Sequence, residues 1–100
     1  MLLDYIEKHI AWSCTTFGPG EKTESICRHI EKELAEIRAE PLKLEEWIDV
    51  IILGLDGAWR SGHSPEQIIE ALQLKQSINI ARKWQIPESP DDPIEHIRES

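Results

Sequence analysis

An all-α fold is predicted for this chain by three observations. Apolar residues recur at helical spacing in four successive segments, β-type alternation is absent, and glycine or proline punctuates the junctions between segments. One hundred residues leave room for one domain with a modest core, so residues 1–100 are expected to fold as a single helical bundle.

Leu2, Leu3, Ile6, Ile10 and Cys14 share one stripe and define the first helix. Phe17-Gly-Pro-Gly20 then breaks the chain. Thr23 or Ser25 is expected to cap a second helix carrying Ile26, Ile30, Leu34 and Ile37, which stops near Glu40 because Pro41 disfavours helical backbone before it. The third helix is expected from about Leu42 to Trp59, ahead of Arg60-Ser-Gly62. Ser64-Pro-Glu-Gln67 is a capping box with proline at the first helical position. It launches a fourth helix through Ile68, Ile69, Leu72 and Ile78, with Trp84 as its last apolar residue. Residues 86–100 are expected to form an extended tail, since Pro87, Pro90 and Pro93 cannot continue a helix, with a short final turn at Ile94 to Arg98.

Lys plus Arg number 11 against 19 Asp plus Glu, a net charge of −8, which argues against binding duplex nucleic acid through its phosphates. A nucleotide substrate stays compatible, because bound cations reverse the local charge. Cys14 and Cys27 lack any metal-ligand spacing and read as reduced, partly buried thiols. Charge interrupts the N-terminal segment at once, and the apolar run from Val50 to Leu55 is too short to span a bilayer. A soluble, cytoplasmic protein without a membrane partner is expected.

Two carboxylate pairs carry the functional signal. Glu33-x-x-Glu36 and Glu46-x-x-Asp49 each have i, i+3 spacing, so both acids of a pair project from one helix face. The second pair opens the most apolar helix, where an acid is costly to desolvate without a positive partner. Asp56 lies two turns beyond Asp49 on the same line. The oxygen-rich, histidine-poor set favours Mg²⁺ or Mn²⁺ over iron or zinc. The alternatives are a solvated helix face for Glu33 and Glu36, and a polar seam at an oligomer interface for Glu46, Asp49 and Asp56.

Lys75, Asn79 and Arg82, at i, i+4 and i+7, form a stripe suited to phosphate oxygens. Its alternative is a solvated, helix-stabilising face. Trp12, near the Phe17 loop, is the chosen base neighbour among four tryptophans; core or interface packing is the ordinary role of such residues. His29, one turn before Glu33, reads as a residue behind the ligands or a packing residue rather than a ligand, Asp56 reads as a residue behind the ligands, and His9, His63 and His96 read as surface residues.

Acids in this order, Glu33-x-x-Glu36 then Glu46-x-x-Asp49, resemble the signature of MazG-like, all-α nucleoside triphosphate pyrophosphatases. Phe17-Gly-Pro-Gly20, Lys32-Glu-Leu-x-Glu-Ile37, Glu46-Trp-Ile-Asp-Val50, Leu55-Asp-Gly-Ala-Trp-Arg60 and Lys75-Gln76…Asn79…Arg82…Trp84 are similar to the phage and bacterial dATP/dGTP diphosphohydrolase branch. The resemblance implies Glu33, Glu36, Glu46 and Asp49 as ligands of two or more Mg²⁺ or Mn²⁺ ions, with Glu33 or Glu36 acting on the attacking water. It also implies cleavage of dGTP or dATP at the α-phosphate to monophosphate and pyrophosphate. Lys75, Asn79 and Arg82 would contact phosphate or sugar, the chain would form a dimer or tetramer, and it would work in a bacterial or phage-infected cytoplasm. Lys22, Ser25, Arg28 and Ile78 depart from the family pattern. The rival readings are a non-catalytic helical interaction module and a same-fold hydrolase of another pyrophosphate-containing compound.

Overall fold

The computed structural model describes residues 1–98. Its secondary structure is four helices in chain order, α1 (Leu2–Phe17), α2 (Thr23–Ala39), α3 (Leu44–Arg60) and α4 (Pro65–Ala81), with no strand among the described residues. The expected all-helical class and the number of helices are therefore observed. Two compact units divide the chain, Met1–Ile69 and Glu70–Ser100, and the boundary falls within α4.

In the first unit, α3 packs chiefly on α2 and to a lesser extent on α1. Ile6 of α1, Ile26 and Ile37 of α2, and Ile68 at the start of α4 are buried. Each such side chain contributes about 2 kcal/mol of transfer free energy. The short connection from Glu40 to Lys43 makes α2 and α3 an antiparallel hairpin. Trp47 stiffens that turn by donating its indole N–H to the Pro41 carbonyl at 2.9 Å.

The end of α1 and the start of α4 follow the expected signals, and the start of α2 does not. α1 stops at Phe17 because Gly18, at φ 88°, takes a left-handed conformation that only glycine adopts without strain. Ser64 and Gln67 form the reciprocal capping box: the Ser64 N–H donates to Gln67 Oε1 at 2.9 Å and the Gln67 N–H to Ser64 Oγ at 3.1 Å. The expected cap of α2 is not formed. Thr23 is already helical, Lys22 sits at the N-cap without a side-chain bond, and the Thr23 hydroxyl donates to Glu21 instead.

The second unit corrects the tail. α4 ends at Ala81, so Trp84 is not helical; it pairs with His96 in an isolated antiparallel bridge. The Ile97 N–H donates to the Lys83 carbonyl and the Gln85 N–H to that of Glu95. Ile94 to Arg98 therefore runs back alongside Trp84 instead of forming a helical turn, its backbone donors being satisfied across the bridge. Half-buried His96 meets the Trp84 ring edge-on at 5.9 Å, so it is not the surface residue expected, whereas His63 is exposed. Residues 99 and 100 of the expected tail lie outside the described residues.

Leu44, Trp47, Ile48 and Ile51 form an exposed apolar face on α3. Cys27 is exposed and Cys14 half-buried; both are free thiols. No helix among the described residues is long and apolar enough to cross a membrane.

Candidate functional site

The α2–α3 hairpin explains how two sequence-separated acid pairs meet. Glu36 and Glu46 flank the turn, and Glu33 and Asp49 lie one helical turn further in on their respective helices. Carboxylate oxygens of Glu33, Glu46 and Asp49 accordingly converge to within 4.8 Å of one another. Glu36 is exposed and lies outside this trio, but against Glu46. The four predicted ligands thus arrive as three together and one at the rim.

The electrostatics of the trio are unbalanced. Glu33 Oε2 and Glu46 Oε2 are buried without a hydrogen-bond partner, although an unpaired buried polar atom is penalised by its lost hydration. The Lys43 ammonium reaches Glu46 Oε1 at 3.7 Å and Glu40 at 3.6 Å, so it is shared between them. Burial raises the Glu46 carboxyl above its ordinary value, and a proton shared with Glu36, the Glu36 charge and the Asp49 charge raise it further against the opposing pull of Lys43. Glu36 offers that hydrogen bond only when one of the two acids carries a proton. With both ionised, Oε2 of Glu46 has no donor. Crowded hard oxygens with two orphaned atoms fit a divalent cation of the Mg²⁺ or Mn²⁺ type.

His29 Nε2 lies 3.2 Å from Glu33 Oε1, at i, i+4 on α2. Asp56 does not stand behind the trio in this way. Its Oδ1 accepts from the Ser13 hydroxyl and from Trp59 Nε1 at 2.7 Å, and its Oδ2 accepts from Arg60 Nε at 2.9 Å. Burial raises the Asp56 carboxyl, but these hydrogen bonds and the Arg60 charge outweigh it and hold the group below its ordinary value. An acid so fully occupied belongs to the scaffold.

Sequence inspection also misplaced His9, which is buried beside this network. Its Nε2 lies 3.2 Å from Asp56 Oδ1 and makes no hydrogen bond. The helical stripe placed Ile6 and Ile10 inward, and His9 shares that face; this spacing was the available signal.

A cleft of about 480 Å³ connects these features within the first unit. Glu33, His29 and Asp49 line one part of it, and Trp12 and Phe17 form an aromatic wall, their rings meeting edge-on at 5.4 Å. Lys22 and Ser25 line it as well. The volume lies in the range of small-molecule sites. Lys75, Asn79 and Arg82 belong to the second unit: Lys75 is exposed, and Arg82, just past the end of α4, donates to Asn79 Oδ1 at 3.4 Å.

No curated protein matches the chain. Among solved structures, the cyanophage S-2L MazG-like pyrophosphohydrolase, bound to dGDP and three catalytic Mn²⁺ ions per active site, superposes with a TM-score of 0.72 at 25% identity, covering 100% of this chain and 96% of that one. Residues 5–100 match the family described as dATP/dGTP pyrophosphohydrolase. With nearly its whole length matched, this chain belongs to the MazG-like dATP/dGTP pyrophosphohydrolase family.

Proposed function

We propose that the chain hydrolyses a purine deoxynucleoside triphosphate, dGTP or dATP, at the α-phosphate, using Mg²⁺ or Mn²⁺ held by Glu33, Glu46 and Asp49 with Glu36 alongside. The observation that carries this reading is the continuity of the cleft, from two of the three converging acids to the Trp12–Phe17 wall. A triphosphate with its cations suits the acidic part, and a flat purine suits the aromatic wall. The similar cyanophage enzyme holds a purine nucleotide and three Mn²⁺ ions.

Cations bound there would offset the polyphosphate charge and acidify water. The remaining chemistry belongs to side chains. Water attacks the α-phosphorus, the bond from that phosphorus to the bridging oxygen breaks, and pyrophosphate leaves with the bonding electrons. Glu36, exposed at the rim and outside the trio, orients the water and accepts its proton. Lys75, Asn79 and Arg82 are assigned to phosphate or sugar on the family resemblance. The apolar α3 face of Leu44, Trp47, Ile48 and Ile51 is assigned to a homo-oligomeric interface, a dimer or tetramer, because burying it removes the largest apolar surface of that helix.

The test is product analysis after incubation of dGTP and dATP with Mn²⁺ or Mg²⁺. Monophosphate and pyrophosphate in equal amounts support the reading. Stepwise release of single phosphates, or no turnover of either nucleotide, contradicts it.

A further inference from the structure

Arg60 closes α3 with a guanidinium that is only 1% exposed, and every one of its N–H groups is directed at an acceptor. Nε donates to Asp56; Nη1 donates to the carbonyls of Gly18 at 2.8 Å and Gly20 at 3.0 Å; Nη2 donates to Ser13 Oγ at 3.0 Å and reaches the Ser13 carbonyl at 3.5 Å. Its Cζ also lies 4.4 Å from the Trp59 ring centroid. α1 has no basic residue in its last turn, so Arg60 supplies the positive charge that the carboxyl end of that helix favours.

The two carbonyls it grips belong to the Gly18-Pro19-Gly20 loop. Gly18 and Gly20 both hold positive φ, at 88° and 97°, which turns both carbonyls onto one guanidinium. Residues on either side of that loop line the cleft: Phe17 immediately before it, Lys22 and Ser25 shortly after it. Ser13, gripped on the same guanidinium, is one residue from Trp12, which meets Phe17 edge-on. Lysine cannot reproduce this, because a point ammonium lacks the planar fork that reaches three separate segments.

We propose that Arg60 is a positioning residue for the aromatic wall of the cleft: it clamps the Gly18–Gly20 loop and the end of α1, and so sets where Trp12 and Phe17 receive the nucleoside. Arg60 touches no substrate and acts through the loop. The assignment of that wall to a nucleoside rests on the proposed function, whereas the clamp on the wall is independent of it.

Arg60→Lys weakens the clamp from α3, and Gly20→Ala strains the loop from the other side with Arg60 intact, so one variant stays informative if the other fails to fold. Ile6→Val, a core change away from the loop, reports pure loss of stability. KM and kcat for dGTP are measured for all three, with amide exchange at Gly18, whose N–H donates to the Cys14 carbonyl at 2.9 Å, as a readout that needs no turnover. Arg60→Lys and Gly20→Ala should raise KM roughly tenfold or more while kcat changes several-fold less. Both should speed exchange in the loop, and Ile6→Val should lower only the thermal midpoint. Wild-type KM and wild-type loop protection in folded Arg60→Lys and Gly20→Ala proteins would overturn the proposal. If wild-type protein fails to cleave dGTP, the nucleotide reading falls, and the exchange data alone decide the clamp: faster exchange upholds it, unchanged exchange removes it.

Discussion

Glu33 on α2 and Asp49 on α3 present carboxylate oxygens within 4.8 Å of each other, with an oxygen of Glu46 inside the same limit of both. Like charges at this range repel, and the hairpin that brings them together offers no cation to Glu33 beyond His29, whose own charge depends on protonation. The predicted consequence is that metal-free protein gains stability when one acid is neutralised. Asp49→Asn should raise the thermal midpoint in chelator by several degrees and abolish the upward shift that Mn²⁺ causes in the wild type. Equal midpoints for both proteins in chelator and in Mn²⁺ would count against a crowded cation site.

Glu36 and Glu33 should separate in function. Glu33→Gln removes a converging oxygen and should lose both Mn²⁺-induced stabilisation and turnover. Glu36→Gln leaves the trio intact, so stabilisation should persist while kcat falls by about 10²-fold or more, the scale of a lost general base. A Glu36→Gln protein with wild-type kcat would show that the water is oriented elsewhere.

The acid limb of stability belongs to two groups of opposite sign. Folding raises the Glu46 carboxyl above its ordinary value of 4.5, so its stabilising contribution is complete below that pH and is lost as pH rises through the raised value. Folding lowers Asp56 below its ordinary value of 3.8, so its contribution is present above that pH and is lost as pH falls through the lowered value. Thermal midpoints of metal-free protein should therefore fall, relative to Glu46→Gln, as pH climbs from below 4.5 toward neutrality. A Glu46→Gln profile parallel to wild type through that range would refute the assignment.

Asp56 sets a stability test apart from catalysis. Its side chain is 13% exposed and pairs with the almost fully buried Arg60 guanidinium. Asp56→Ala leaves that charge without its carboxylate and should cost about 3 kcal/mol or more, lowering the thermal midpoint by roughly 10 °C or more. Urea titration measures the cost directly; a loss of a few tenths of a kcal/mol would mean the network is ornamental to stability.

Trp12 tests the aromatic wall. Trp12→Ala should raise KM for dGTP about tenfold, consistent with loss of one base–aromatic stack, with little change in Mn²⁺ affinity. An unaltered KM would move the base away from this wall.

Much of this architecture is legible in sequence because it is local. The stripes of Ile6, Ile26, Ile37 and Ile68, the stops at Gly18 and Pro41, and the Ser64–Gln67 box are all set by residues within a few turns of one another. The acid trio is legible too, since a short turn between two i, i+3 pairs leaves few ways to arrange them. The network of Ser13, Gly18, Gly20, Asp56 and Arg60 is not, because its hydrogen-bonded partners lie forty or more residues apart except Asp56 and Arg60, and only the packing of α1 against α3 unites them. Trp84 misled because an apolar residue in helical register looks the same whether the helix continues or ends at Ala81. Ile94 misled in turn because its segment takes its backbone partners from across a bridge.

The most direct measurement is a Mn²⁺ titration by isothermal calorimetry of wild-type protein beside a Glu33→Gln/Asp49→Asn double variant, with circular dichroism confirming equal helicity. Saturable binding in the wild type that disappears in the double variant is the predicted result. Indistinguishable Mn²⁺ binding by the two proteins would contradict the claim that the α2–α3 acids form the cation site.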